Sequence, residues 1–168
     1  MKINTLIYDV TYPSNIGEII RTSHVLGEGT SDLYFYDPRN ILDKEKDEIE
    51  NFSCNIASLK EFKILNSDIN DFLKKYNGRK IATLISDKST KLKDFNFEEN
   101  DLILFGNERT GLPDEIIELC DEKIIIPMKG SVYNKTDHHL GTPIKGIGEY
   151  PTLKVSIAHA IVLYGALE

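Results

Sequence analysis

Short apolar runs alternate along the chain with stretches whose apolar residues recur at helical spacing, and this alternation predicts a mostly parallel sheet flanked by helices. Thr5 to Tyr8 reads as the first strand. Ser14 or Asn15 is placed to cap a helix with Glu18 near its start and Ile16, Ile19, Ile20 and Leu26 as its apolar stripe, ended by Gly27 and Gly29. Asp32 to Tyr36 reads as the second strand, closed by Asp37-Pro38. Leu42 to Asn51 is dense in charge and predicts a surface helix, and Phe62 to Leu65 a short strand. Ser67 is placed to cap a helix carrying Ile69, Phe72, Leu73 and Tyr76, which Asn77-Gly78 stops. Lys80 to Ser86 and Asp101 to Phe105 are strands of the buried type. Pro113 suits the first position of a helix with Ile116, Ile117 and Leu119. Lys123 to Pro127 reads as the last strand, Lys129 to Pro151 as a long polar connection, and Leu153 to Leu167 as an apolar final helix.

Neither an internal repeat nor an interdomain linker interrupts this pattern, so 168 residues read as one domain able to bury its own core. No apolar run approaches the ~18 residues a membrane span needs. The first residues, Met1 to Ile7, are too soon interrupted by Asp9 to read as a signal peptide. Cys54 and Cys120 are isolated, which suggests neither a disulfide framework nor a zinc site, and a reduced, cytoplasmic setting is expected. The net charge of −7 argues against gripping nucleic acid over the whole surface. Lys123, Lys129, Lys135, Lys145 and Lys154 nonetheless outnumber Asp137 and Glu149 between Lys123 and Lys154. That stretch is either a basic face for phosphate or a solvated surface.

Three segments sit where a strand ends and a helix begins, the place where open α/β sheets bind ligands. In Tyr12 to Thr22, Gly17 allows a close approach to the first helical turn and Arg21 lies one turn further on; alone, this is a capped helix with a surface arginine. In Leu104 to Pro113, Gly106 and Gly111 bracket a polar turn that suits a backbone loop wrapped around a small ligand. It matches neither a Walker loop nor a dinucleotide fingerprint. The third segment is split between Ile126 to Gly130 and Thr152 to Tyr164, where most apolar residues read as core and His159 as a packed or solvated helix residue.

In order and spacing, the three segments resemble the SpoU (TrmH-like) branch of the SPOUT methyltransferases. Asn15, Gly17, Arg21 and Thr22 meet that branch's N-x-G-x-x-x-R-T, and Gly106, Glu108, Gly111, Leu112 and Pro113 its G-x-E-x-x-G-L-P. Ile126, Pro127, Met128, Gly130, Leu153, Val155, Ser156 and Ala158 meet its I-P-M-x-G and S-L-N-V-S-x-A. The resemblance implies an S-adenosyl-L-methionine-dependent RNA (ribose-2′-O)-methyltransferase, homodimeric, with a C-terminal deep trefoil knot, a rare exception to unknotted chains. It places the cofactor against Leu84, Ser86, Gly106, Asn107, Glu108, Gly111, Ile126, Met128, Thr152 and Leu153. The first-motif arginine, Arg21, would face the partner subunit's cofactor, and Ile157, Ile161 and Tyr164 of the final helix would join the interface.

The chemistry implied is alignment of oxygen, methyl and sulfur and removal of a hydroxyl proton. A guanidinium stays protonated and is a poor base, so Arg21 is assigned to orienting the hydroxyl and stabilising developing charge, with Asn15 and Glu108 holding the geometry. Two departures from the family pattern stand out. Thr152 and Lys154 replace the family's Ser and Asn: Thr152 keeps a hydroxyl, whereas Lys154 reads as a phosphate contact, a base near the sulfonium, or a mark of altered activity. Residues 131–151 are inserted, as a substrate-binding lid or a disordered excursion, and His138-His139 alone make a poor metal site. The leading expectation is methylation of tRNA or rRNA, tRNA being favoured because the chain resembles minimal members of the branch. Against it stand a knotted RNA-binding scaffold that keeps the cofactor pocket and an unknotted flavodoxin-like nucleotide binder.

Overall fold

A computed structural model of the protein describes residues 1–28, 30–59, 61–66, 68–128 and 153–168. Its elements run β1 (Ile3–Tyr8), α1 (Pro13–Gly27), β2 (Leu33–Tyr36), α2 (Ile41–Lys44), α3 (Lys46–Phe52), β3 (Lys63–Ile64) and α4 (Ile69–Lys75). They continue β4 (Lys80–Thr83), β5 (Thr90–Lys91), a 3-10 turn at Leu92–Asp94, β6 (Asp101–Phe105), α5 (Asp114–Glu118), β7 (Glu122–Ile125) and α6 (Val155–Leu167). The strands form one sheet in the order β3-β2-β1-β6-β4-β7-β5. Every described pairing is parallel.

A parallel sheet covered on both faces needs strands that are apolar throughout. β6 meets this with all five residues buried, its Ile103 and Phe105 facing one core and its Leu102 and Leu104 the other. β1 divides likewise, sending Ile3 and Ile7 to the first core and Leu6 to the second. The first core is closed by Ile16, Ile19 and Ile20 of α1, Ile49 of α3 and Val162 of α6, and the second by Leu73 of α4 and Ile116 and Ile117 of α5. Each such side chain contributes about 1.5–3 kcal/mol. The buried Asp101 accepts from the Arg79 guanidinium at 2.9 and 2.7 Å, which compensates a carboxylate taken out of water.

Several local expectations are corrected. α1 starts at Pro13 with Tyr12 as its N-cap and no capping side chain, so neither Ser14 nor Asn15 caps it. α4 is capped by Asp68, whose carboxylate accepts from the amides of Asn70 and Asp71; Ser67 lies outside the described residues. The helix expected over 42–51 is broken at Glu45 into α2 and α3. Pro113 is the N-cap of α5 rather than its first residue. β4 ends at Thr83, short of Ser86, and β5 was not foreseen. Gly17 is tight for a different reason than ligand approach: a Cβ there would lie 2.6 Å from Phe52 Cβ and 2.7 Å from the Ile49 carbonyl. It is the contact point of α1 on α3. Gly29 and the connection expected over 129–151, with His138, His139 and three of the five lysines, lie outside the described residues. Among the described residues no helix is long and apolar enough to cross a membrane.

Candidate functional site

The chain turns sharply where β1 ends. Asp9 takes a left-handed conformation, φ 49°, which Asp tolerates better than most residues. Its carboxylate is held by Arg39 through Nε at 2.7 Å and NH2 at 3.0 Å, and its carbonyl accepts from the Asn107 side-chain amide at 2.6 Å. The turn thereby aims the amides of Thr11 and Tyr12 at the loop that follows β6.

That loop folds back on itself. Asn107 and Gly111 exchange backbone hydrogen bonds of 3.2 and 2.9 Å, and Asn107 Oδ1 accepts from the amides of Arg109 and Thr110. Gly111 has φ 68°, and a Cβ on Gly106 would collide with the Gly111 backbone. Both glycines are demanded by the loop's own closure. The loop presents Glu108 to the first segment: its carboxylate accepts from Thr11 N at 3.1 Å, Tyr12 N at 3.0 Å and Asn15 Nδ2 at 2.9 Å. Glu108 is thus a structural clasp between segments some ninety residues apart, and Asn15, buried to 2% exposure, serves the clasp instead of capping α1.

The start of α6 closes the third side. Lys154 Nζ donates to Glu18 at 2.9 and 3.0 Å, and Ser156 Oγ donates to the same carboxylate at 2.5 Å. Burial pushes the Glu18 carboxyl up, but the hydrogen bonds from Ser156 and Lys154 outweigh it and hold the group below the usual carboxylate range. One turn on, His159 is fully buried, edge-on to Phe105 and 3.4 Å from Ser23 Oγ. Burial pushes its imidazole down to about 3, so it is a neutral core residue.

Between the three segments lies a cleft of about 600 Å³, at the carboxyl ends of β1, β6 and β4. Its wall includes Asn15, Leu84, Gly106, Asn107, Glu108, Gly111, Leu153 and Lys154 of the expected residues. Ile126 and Met128 line an adjoining apolar groove of about 110 Å³, which shares Leu84 and Leu153 with the cleft. Ser86 is on neither wall; it is buried, its hydroxyl accepting from Lys88 N at 3.1 Å. Thr152 lies outside the described residues. Arg21 is also off the wall: it is exposed and donates through NH1 to Cys54 Sγ at 2.9 Å. The sequence reading missed Tyr12 and Arg109, which meet at the cleft mouth through a 2.9 Å bond from guanidinium to phenol. It also missed the role of Glu18, whose partner is far along the chain. Among the described residues no cluster of acidic, histidine or cysteine side chains is placed to hold a metal ion.

The chain's similarities agree with this architecture. The model of the SpoU rRNA Methylase family matches residues 2–134. The tRNA (guanosine(18)-2′-O)-methyltransferase of Escherichia coli (strain K12) is 33% identical over 86 residues, 51% of this chain and 30% of that enzyme. The 23S rRNA (uridine(2479)-2′-O)-methyltransferase of Streptomyces viridochromogenes is 27% identical over 80% of this chain and 47% of its own length. The chain therefore spans a half or less of these relatives. Among solved structures, one concerned with 2-OH methylation of C/U34 on tRNA superposes with a TM-score of 0.76 at 22% identity, covering 98% of this chain and 93% of that one. The SpoU methyltransferase AviRb from Streptomyces viridochromogenes in complex with AdoMet superposes with a TM-score of 0.68 at 24% identity, covering 99% and 59%. These likenesses show the shared fold.

Proposed function

Because the chain belongs to the SpoU rRNA Methylase family, we propose that it methylates a ribose 2′-hydroxyl of RNA at the cleft, using S-adenosylmethionine. The observation that carries this reading is the clasp of Glu108 on Thr11, Tyr12 and Asn15, which joins the first two motif segments around one cavity whose third side is the start of α6, bound to Glu18 through Lys154 and Ser156. The cavity's volume lies within the range of small-molecule sites. Its walls suit the cofactor: Leu84, Leu153, Ile126 and Met128 offer an apolar slot for a flat base, and polar groups converge at the Glu108 end.

When bound, S-adenosylmethionine supplies a methyl group on a positively charged sulfur, already activated for transfer. The protein's share is positional. Glu108 and Asn15 fix the loop over the cleft, and Leu84, Leu153, Gly106, Asn107, Gly111, Ile126 and Met128 hold the nucleoside, with Thr152 completing the set and Ser86 supporting the turn behind it. Arg21 orients the attacking hydroxyl and stabilises its developing charge. Its place outside the cleft of its own chain supports a homodimer in which each Arg21 serves the partner's cleft. The exposed Ile157, Ile161 and Tyr164 on α6, beside α1, supply an apolar face for that pairing. We further propose a single domain with the family's C-terminal trefoil knot, and tRNA as the favoured substrate in the cytoplasm. The tRNA-directed relatives, including a tRNA (cytidine(34)-2′-O)-methyltransferase of Beijerinckia indica, support that choice.

The test is incubation with labelled S-adenosylmethionine and total tRNA or rRNA, then nucleoside mapping, with Arg21→Ala as control. Label on a ribose of tRNA, lost in the variant, is expected. Label on a base, or equal label in the variant, overturns the mechanism; cofactor binding without transfer turns the reading toward a scaffold.

A further inference from the structure

Lys154 stands where the family pattern carries a neutral asparagine, and it stands on the cleft wall. A bare ammonium there would repel a cationic ligand. It is not bare: both oxygens of Glu18 receive it, at 2.9 and 3.0 Å, and Ser156 fixes the carboxylate from the other side. The side chains of Lys154 and Glu18 are 43% and 39% exposed, so their pairing is a half-solvated one. Among the described residues, the other charged groups on the wall are already committed, Glu108 to backbone amides and Arg109 to the Tyr12 phenol. The charge that a ligand meets on the α6 side of the cleft is set by Lys154 and Glu18 together.

We propose that Glu18 is a positioning residue that supplies the counter-charge of Lys154, so that the pair does the electrostatic work of the family's neutral amide and lets the cleft take a sulfonium nucleoside. This deepens the methyltransferase reading and rests on it. Glu18 holds the Lys154 amino group turned toward α1. Removing the carboxylate leaves one uncompensated positive charge beside the cleft; removing the ammonium leaves one uncompensated negative charge. S-adenosylmethionine and S-adenosylhomocysteine report the difference, because they share every group but the charged methyl-bearing sulfur.

The experiment is calorimetric titration of the full chain with each nucleoside, for wild type, Glu18→Gln, Lys154→Met and the double variant Glu18→Gln/Lys154→Asn. Glu18→Gln is expected to weaken S-adenosylmethionine by a factor of about 3–30 relative to S-adenosylhomocysteine, the range for unit charges several ångströms apart in a part-solvated site. Lys154→Met is expected to shift the ratio the opposite way, and the double variant to restore it. Unchanged ratios in every folded variant overturn the counter-charge role while leaving the methyltransferase reading intact. Wild-type protein that binds neither nucleoside overturns both. Should Glu18→Gln fail to fold, the shift in Lys154→Met decides alone.

Discussion

The side-chain amide of Asn15 donates to Glu108 Oε1 at 2.9 Å, tying the first turn of α1 to the loop after β6. The same carboxylate takes the amides of Thr11 and Tyr12, so one side chain satisfies three N–H donors. Hydrogen bonds to a charged acceptor are worth about 1.5–3 kcal/mol, and orphaning the donors adds to the loss. Glu108→Ala is therefore expected to lower stability by about 2–3 kcal/mol in denaturant titration and to weaken nucleoside binding more than tenfold. Glu108→Gln, which keeps an acceptor oxygen, should lose less of both. Equal behaviour of the two variants would count against the clasp.

The approach of α1 to α3 at Gly17 leaves no room for a methyl group. Gly17→Ala must push apart two helices whose contact is partly backbone, and overpacking of this kind costs about 1–3 kcal/mol. A fall in melting temperature with no change in the nucleoside Kd would place Gly17 in the scaffold. A selective loss of binding would restore the reading of Gly17 as a ligand contact.

How much was legible beforehand depended on range. β6 was read with its observed bounds, because Leu102, Ile103, Leu104 and Phe105 must all be apolar in a strand covered on both faces. The strand-end segments and the glycine loop were legible for the same local reasons. Asn15 reads, with Ser14, as a cap because its partner, Glu108, is distant in sequence and no spacing encodes that bond; only the family resemblance puts the two in one site. Glu18 escaped notice likewise: its pairing with Lys154 exists only once α1 and α6 are packed together. Thr90–Lys91 gave no strand signal because an exposed edge needs no apolar residues.

His159 makes stability depend on pH in a direction that follows from its burial. Its folded-state pKa, about 3, lies below the unfolded value, so the unfolded chain binds the proton first. Stability is intact above pH 6.5 and falls as acid is added, by up to about 1.4 kcal/mol per pH unit between 6.5 and 3. His159→Phe, which keeps a ring against Phe105, should flatten the profile over that interval. Urea midpoints measured from pH 7.5 to 5 for both proteins check this; parallel curves would refute it.

The two thiols should behave differently. Cys54 is exposed, with Arg21 at its sulfur, whereas burial pushes the Cys120 thiol up to about 12. At pH 8 a maleimide should label one cysteine per chain quickly, and peptide mapping should find it at Cys54. Rapid labelling of both would mean that α5 opens readily.

The sheet ends on either side in strands of two residues, Lys63–Ile64 and Thr90–Lys91. So short a border gives an incoming chain almost no backbone to zip onto, and a lysine stands in each. Growth of the sheet from one molecule into the next is therefore disfavoured at both of these edges.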